Sequence, residues 1–234
     1  MPKAPALVGK LAETLMGRRA RVLRTERIAP DFLELEFRAD PPAGGWQPGH
    51  EVQVRATPTQ GRRYNVRTVD APDRITVLAV LHGDGPGARW LQSLHPGTET
   101  TLLASRYVSM RLTGTHRLLI GDGSALGTLD AYATAGRHPS TVVIEAPSAS
   151  VDRLRGRWPH YRFVPAFADD PGAMTRAWLD ETLRREDLAD VDGALLLGHA
   201  QSIQGQRQAL VGAAILDRNA ITTRPYWATG KTGL

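Results

Sequence analysis

The chain of 234 residues contains no cysteine. That absence excludes disulfides, thiolate zinc sites, iron–sulfur clusters and a cysteine nucleophile together. No stretch approaches the ~20 apolar residues of a membrane span. At the N-terminus Lys10 and Glu13 interrupt MPKAPALVGKLAETLMGRR before it could form the apolar centre of a signal peptide. The expectation is a cytoplasmic protein without a membrane partner. Lysine is nearly missing too: of 29 basic residues, only Lys3, Lys10 and Lys231 are not arginine. The net charge of +5 includes no dense basic run interleaved with aromatics, so nucleic acid is not expected as a partner. The histidines lack H-x-x-H and H-E-x-x-H spacings, which argues against a metal site. Ser124 has no G-x-S-x-G elbow around it, and Gly230-Lys231-Thr232 lacks the upstream glycines of a Walker loop.

What is there is an ordinary globular composition, 41% hydrophobic and 23% charged, in a chain long enough to bury a core without staples. Leu7, Leu11, Leu15 and Met16 share one side of an amphipathic helix expected over residues 1–17. From about residue 20 the texture changes to short alternating runs, ARVLRTERI, FLELEFRA, HEVQVRA, RYNVRTV, RITVLAVL and TETTLLAS, separated by Pro/Gly turns. Six such strands predict a small antiparallel barrel over residues 18–114, interrupted by a short helix at GPGARWLQSL. After a boundary near Thr113–His116 the apolar runs RLLI, TVVIEA, RFVPA and GALLLG alternate with helical segments. This pattern predicts a doubly wound parallel α/β domain over residues 115–234.

Two constellations carry chemistry. Arg62-Arg63-Tyr64-Asn65-Val66-Arg67 lies on a barrel strand, where alternation puts Arg62, Tyr64 and Val66 on one face and Arg63, Asn65 and Arg67 on the other. A guanidinium suits a phosphate, and a tyrosine two residues on can cover a flat heteroaromatic ring. His82-Gly83-Asp84-Gly85-Pro86-Gly87-Ala88-Arg89-Trp90 follows an apolar strand and opens a helix with proline at its first position. Glycines there let the backbone approach an anion closely, and the free N–H groups of the helix start point at it.

Together these motifs, with the α/β domain behind them and Tyr226-Trp227-Ala228-Thr229-Gly230-Lys231 near the end, resemble the siderophore-interacting proteins, FAD-containing ferric-siderophore reductases of the ferredoxin-reductase-like clan. The resemblance implies a FAD-binding barrel followed by an NAD(P)H-binding domain, with NADH or NADPH as donor. It implies that Arg62 and Arg67 meet the FAD phosphates and neighbouring polar groups. Tyr64 would pack on the isoalloxazine, and Asn65 would stand where a Ser or Thr hydroxyl addresses flavin N5; these two are the candidate catalytic residues. His82, Gly83, Gly85, Pro86, Gly87 and Ala88 would form the pyrophosphate turn, and Trp90 would fix the short helix against the barrel.

The second half departs from that family. Ala104-Ser105-Arg106-Tyr107 replaces a G-P-x-G turn, Gly121-Asp122-Gly123-Ser124-Ala125-Leu126-Gly127 replaces G-D-E-T-A-L-P, and Gly198-His199-Ala200 replaces G-E-A. Read alone, the Gly121–Gly127 turn, with Asp122 and Ser124, is either a dinucleotide site or tight packing of helix on sheet. Glu145 ends the next strand, where an acidic residue grips a ribose 2′-hydroxyl. Two functions of different kind follow. One is a FAD-dependent NAD(P)H oxidoreductase reducing a ferric siderophore or similar ferric chelate. The other is a repurposed relative acting as a non-redox cyclase in small-molecule biosynthesis, with or without structural FAD. Either acts on a small molecule; a flavin-binding module working by protein contact alone is a third reading.

Overall fold

A computed structural model describes residues 16–136 and 138–231. The helix expected over residues 1–17 falls almost wholly outside them, and Gly17 already opens the first strand. The chain divides into two compact units, one ending at Ser109 and the other beginning at Met110.

In the first unit β1 (Gly17–Ala29), β2 (Phe32–Ala39), β3 (Glu51–Thr57), β4 (Gln60–Ala71), β5 (Arg74–Val80) and β6 (Glu99–Leu103) close into an antiparallel barrel in the order β1-β2-β5-β4-β3-β6. Closure follows from alternation. Leu33, Leu35 and Phe37 of β2 point inward with Val52, Val54, Val66, Ile75, Val77 and Leu102. Each such side chain contributes ~1.5–3 kcal/mol when removed from water. The helix α1 (Pro86–Ser93) lies between β5 and β6 in sequence and lays Leu91 on this core. On the other face of β2, Glu34 is buried and ion-paired to Arg67 at 2.7 Å and Arg24 at 3.1 Å.

The second unit alternates β7 (Arg117–Asp122), α2 (Leu126–Ala135), β8 (Ser140–Pro147), α3 (Val151–Arg157), β9 (Arg162–Ala166), α4 (Ala173–Arg184), β10 (Gly193–His199), α5 (Ala200–Gly212) and β11 (Ile221–Trp227). All its strands are parallel, in the order β11-β10-β7-β8-β9. The central runs Leu118–Ile120, Val142–Ile144 and Ala194–Leu197 are almost wholly buried, as strands covered on both faces must be. Strand order reverses between β7 and β10, so the crevice beyond their carboxyl ends is where an open α/β sheet ordinarily binds its ligand. The sequence reading had no strand at residues 221–227. Its two threonines, Arg224 and Pro225 suit an edge, and β11 is indeed the edge beside β10.

Asp192 fastens the entry to this sheet. Its carboxylate accepts from the N–H groups of Thr115 and His116, and from the Thr115 hydroxyl, at 2.7–2.9 Å. The backbone N–H bonds of Thr115 and then His116 hold its pKa down to about 2.

Candidate functional site

The two constellations read from the barrel sequence come together in space. Arg62 of β4 runs alongside the start of α1: a Cβ added to Gly87 would lie 3.0–3.3 Å from its Cγ, Nε and Cδ. Only a glycine lets the arginine lie this close without being displaced. The helix start beside it is bare. Gly85 caps α1 with no side-chain hydrogen bond, Pro86 occupies the first turn, and no acidic residue is present there. Gly83 takes φ +50°, which favours glycine, and the His82–Gly85 stretch is exposed. Arg89 closes this loop by donating to the Asp84 carbonyl.

Tyr64 lies two residues from Arg62 on the same face, partly buried against the barrel core and stacked on Trp90 of α1. The ring centroids are 6.2 Å apart at 20°. Burial pushes the Tyr64 phenol up to about 12 against the opposing pull of the Arg62 guanidinium, so it stays protonated at neutral pH. Trp90, expected only to fix the helix, thus also meets the tyrosine. Arg63 points the other way, exposed and 3.4 Å from Glu51. Asn65 is anchored: its Nδ2 donates to the Gly49 carbonyl at 3.0 Å. The Gly49–His50 turn pins the same strand again, through Gly49 N–H to Val66 O at 2.7 Å and Val66 N–H to His50 O at 2.8 Å.

His50 itself escaped the sequence reading. It is 2% exposed between Trp46 and Tyr107 and donates from Nε2 to Ser105 O at 2.9 Å. Burial lowers its pKa, outweighing the Ser105 bond and Glu51. Its only signal was its place beside a Pro-Gly turn at the head of an alternating run.

One expected barrel residue already has a partner. Arg67 is engaged by the buried Glu34 at 2.7 Å, so its guanidinium ties β4 to β2. Glu34 needs that partner, because a buried carboxylate without one is costly.

The second unit gathers the other expected residues at the carboxyl ends of its strands. Asp122 is the hub. One carboxylate oxygen accepts from the Ser124 N–H at 2.8 Å and the Ser124 hydroxyl at 2.5 Å. The other accepts from the His199 N–H and the Trp227 indole N–H, both at 2.8 Å. Gly198, at φ +110°, permits this approach, since a Cβ there would fall 2.3 Å from the carboxylate. Gly121 serves packing: its Cβ would meet Ala125, Leu129 and the Leu197 carbonyl at 2.8–3.0 Å.

His199 has a definite tautomer. Ser202 has one hydroxyl proton and donates it to Pro171 O at 2.8 Å, so at 2.7 Å from His199 Nδ1 it accepts. Nδ1 therefore carries the proton, and Nε2 accepts from the Thr229 hydroxyl at 2.9 Å. Burial lowers the pKa of this ring, with Asp122 and Glu145 pulling the other way. The ring is 5% exposed and lies against Trp227, centroids 4.3 Å apart.

Glu145 is engaged as well. It is 4% exposed, and its oxygens accept from Gly172 N–H at 2.6 Å, Thr175 N–H at 3.0 Å and the Thr175 hydroxyl at 2.7 Å. From the end of β8 it caps the start of α4.

A closed six-stranded barrel followed by a five-stranded parallel sheet is the ferredoxin-reductase-like fold. Within that class the siderophore-interacting protein of Acinetobacter baumannii superposes with a TM-score of 0.74 at 16% identity, over 92% of each chain. A siderophore utilization protein from T. fusca gives 0.69 at 20% identity, over 93% of this chain and 95% of its own. The ferredoxin reductase of carbazole 1,9a-dioxygenase gives 0.68 at 20% identity, over 90% of this chain and 67% of its own. No protein-family model and no curated protein matches the sequence. At these identities the likeness is one of fold.

The barrel residues fit the diphosphate end of FAD: an uncapped helix start, a glycine in place of a side chain, and an arginine laid beside both.

Proposed function

We propose that the chain is a FAD-binding oxidoreductase that reduces a ferric siderophore or a similar ferric chelate. The observation that carries the flavin reading is Arg62 lying along Gly87 at the bare start of α1, two phosphate-directed elements side by side. Bound FAD would supply redox chemistry that no side chain of this cysteine-free protein can. The protein's part is positioning. Arg62 and the α1 N–H groups neutralise the diphosphate, Tyr64 and Trp90 offer an aromatic wall, and Asn65, pinned through Gly49, presents its amide at a fixed place on β4. The siderophore-interacting neighbours support a ferric chelate as substrate, a hard-oxygen complex that releases iron once it is reduced.

A second reading, the non-redox cyclase retaining the barrel, is favoured by the internal bonding of Asp122, Glu145 and His199. One experiment separates the two. The purified protein is titrated with FAD and with FMN, bleached anaerobically with dithionite, which needs no docking site, freed of dithionite by anaerobic desalting, and mixed with a ferric chelate and an iron(II) trap. Preference for FAD and stoichiometric iron(II) is the expected result. Protein that neither binds nor quenches FAD sinks the oxidoreductase reading.

A further inference from the structure

The reversal between β7 and β10 opens the crevice where a sheet of this topology holds a dinucleotide, and three kinds of group normally do the holding. Free N–H groups at the helix start take the pyrophosphate, a carboxylate at the end of the next strand takes the ribose, and an open strand end admits the nicotinamide. In this chain each is used within the protein.

Three N–H groups around the β7–α2 turn are already bonded. Ser124 N–H goes to Asp122 Oδ1 at 2.8 Å, Ala125 N–H to Asp122 O at 2.9 Å, and Leu126 N–H to Gly123 O at 3.4 Å. The next two residues, Gly127 and Thr128, are buried. Glu145 is spent on the α4 cap. Across the crevice, Asp122 is bonded to the His199 N–H and the Trp227 indole, and the His199 ring is bonded at both nitrogens. The start of α1 differs in how it can be approached: its cap, Gly85, is exposed, whereas Ala125, the cap of α2, is fully buried.

We infer that the second unit does not take up NADH or NADPH at its strand ends, because the residues that would hold the dinucleotide are bonded to one another instead. An incoming dinucleotide would have to break the Asp122 hub and strand a carboxylate facing a phosphate. The glycines of this region serve close packing rather than access: Gly121 against α2, and Gly198 beneath Asp122.

The inference stands apart from the flavin reading, and its test keeps the two distinct. Full-length protein freed of flavin is titrated with NADH, NADPH and ADP-ribose by calorimetry. No saturable heat below about 1 mM is expected for any of the three. A micromolar isotherm displaced by ADP-ribose overturns the inference. Glu145→Gln is the second arm. A carboxylate that only caps α4 predicts a lower melting temperature with unchanged nicotinamide titrations. A selective gain for NADPH over NADH would put Glu145 at the ribose and overturn the inference. FAD titrated into the same preparation reports on the other reading alone. Uptake of FAD beside silent nicotinamide supports both, and loss of FAD uptake refutes the flavin reading while this inference stands on its own titrations.

Discussion

Arg62 and Arg63 are neighbours in sequence with opposite fates, which makes them a test of the flavin cradle. Arg62 lies along Gly87, beside Tyr64, while Arg63 is exposed and reaches only Glu51. Replacing Arg62 with alanine removes a charged donor to the diphosphate, worth ~1.5–3 kcal/mol, or roughly 10- to 150-fold in the FAD dissociation constant. Arg63→Ala removes a surface ion pair worth about 0–1 kcal/mol and contributes nothing to the cradle. Gly87→Ala adds a Cβ 3.0 Å from Arg62 Cγ and 3.1 Å from its Nε. Arg62 is long enough to swing aside, so this variant should fold and still lose FAD affinity, by less than Arg62→Ala. Combining the two should give less than the sum of the single effects, since the alanine at 87 acts through the arginine. The assay is quenching of flavin fluorescence on titration, with circular dichroism to confirm folding. Equal losses from Arg62→Ala and Arg63→Ala, or strict additivity of the pair, would refute the geometry assigned to the cradle.

Two further outcomes follow from the second unit and the buried imidazoles. Asp122→Asn keeps the shape but turns an NH2 toward two of four donors; losing two charge-assisted bonds should cost about 3–6 kcal/mol. At roughly 2–4 °C per kcal/mol the melting temperature should fall by about 6–24 °C, read by circular dichroism, and a change within a degree of zero would reject the hub. His50 and His199 have folded pKa values below the unfolded ~6.5. As the pH falls through 6.5 the unfolded chain therefore takes up protons that the folded one refuses, and stability drops until the folded values are reached. Thermal melts from pH 8 to 5.5 should decline below about 6.5, less steeply in His199→Asn; a level or rising profile contradicts the burial of these rings.

The barrel was legible because its cause is local. Alternation in FLELEFRA and RITVLAVL directly encodes an inside and an outside, and β2 runs Phe32–Ala39 as read. The parallel strands announced themselves by apolar runs that only a doubly covered sheet tolerates. The edge strand β11 did not, because an edge asks little of its residues and Pro225 argued against a strand. The site was half legible. Spacing on one strand predicts which way Arg62 points, and a Pro-Gly helix start predicts bare N–H groups. Nothing local says that Glu34, 33 residues before Arg67, will claim its guanidinium. Likewise, Glu145 at a strand end fits a ribose and a helix cap equally well in sequence. Only the fold brings Gly172 and Thr175 to it.

The five-stranded sheet ends in proline on both sides, Pro165 in β9 and Pro225 in β11. The barrel beside it in the chain has no edge at all. A second copy adding a strand to either margin would meet a gap where a backbone donor should be. Self-association by sheet extension, the usual route from a crowded folding intermediate to a fibre, is therefore obstructed at both margins of the sheet.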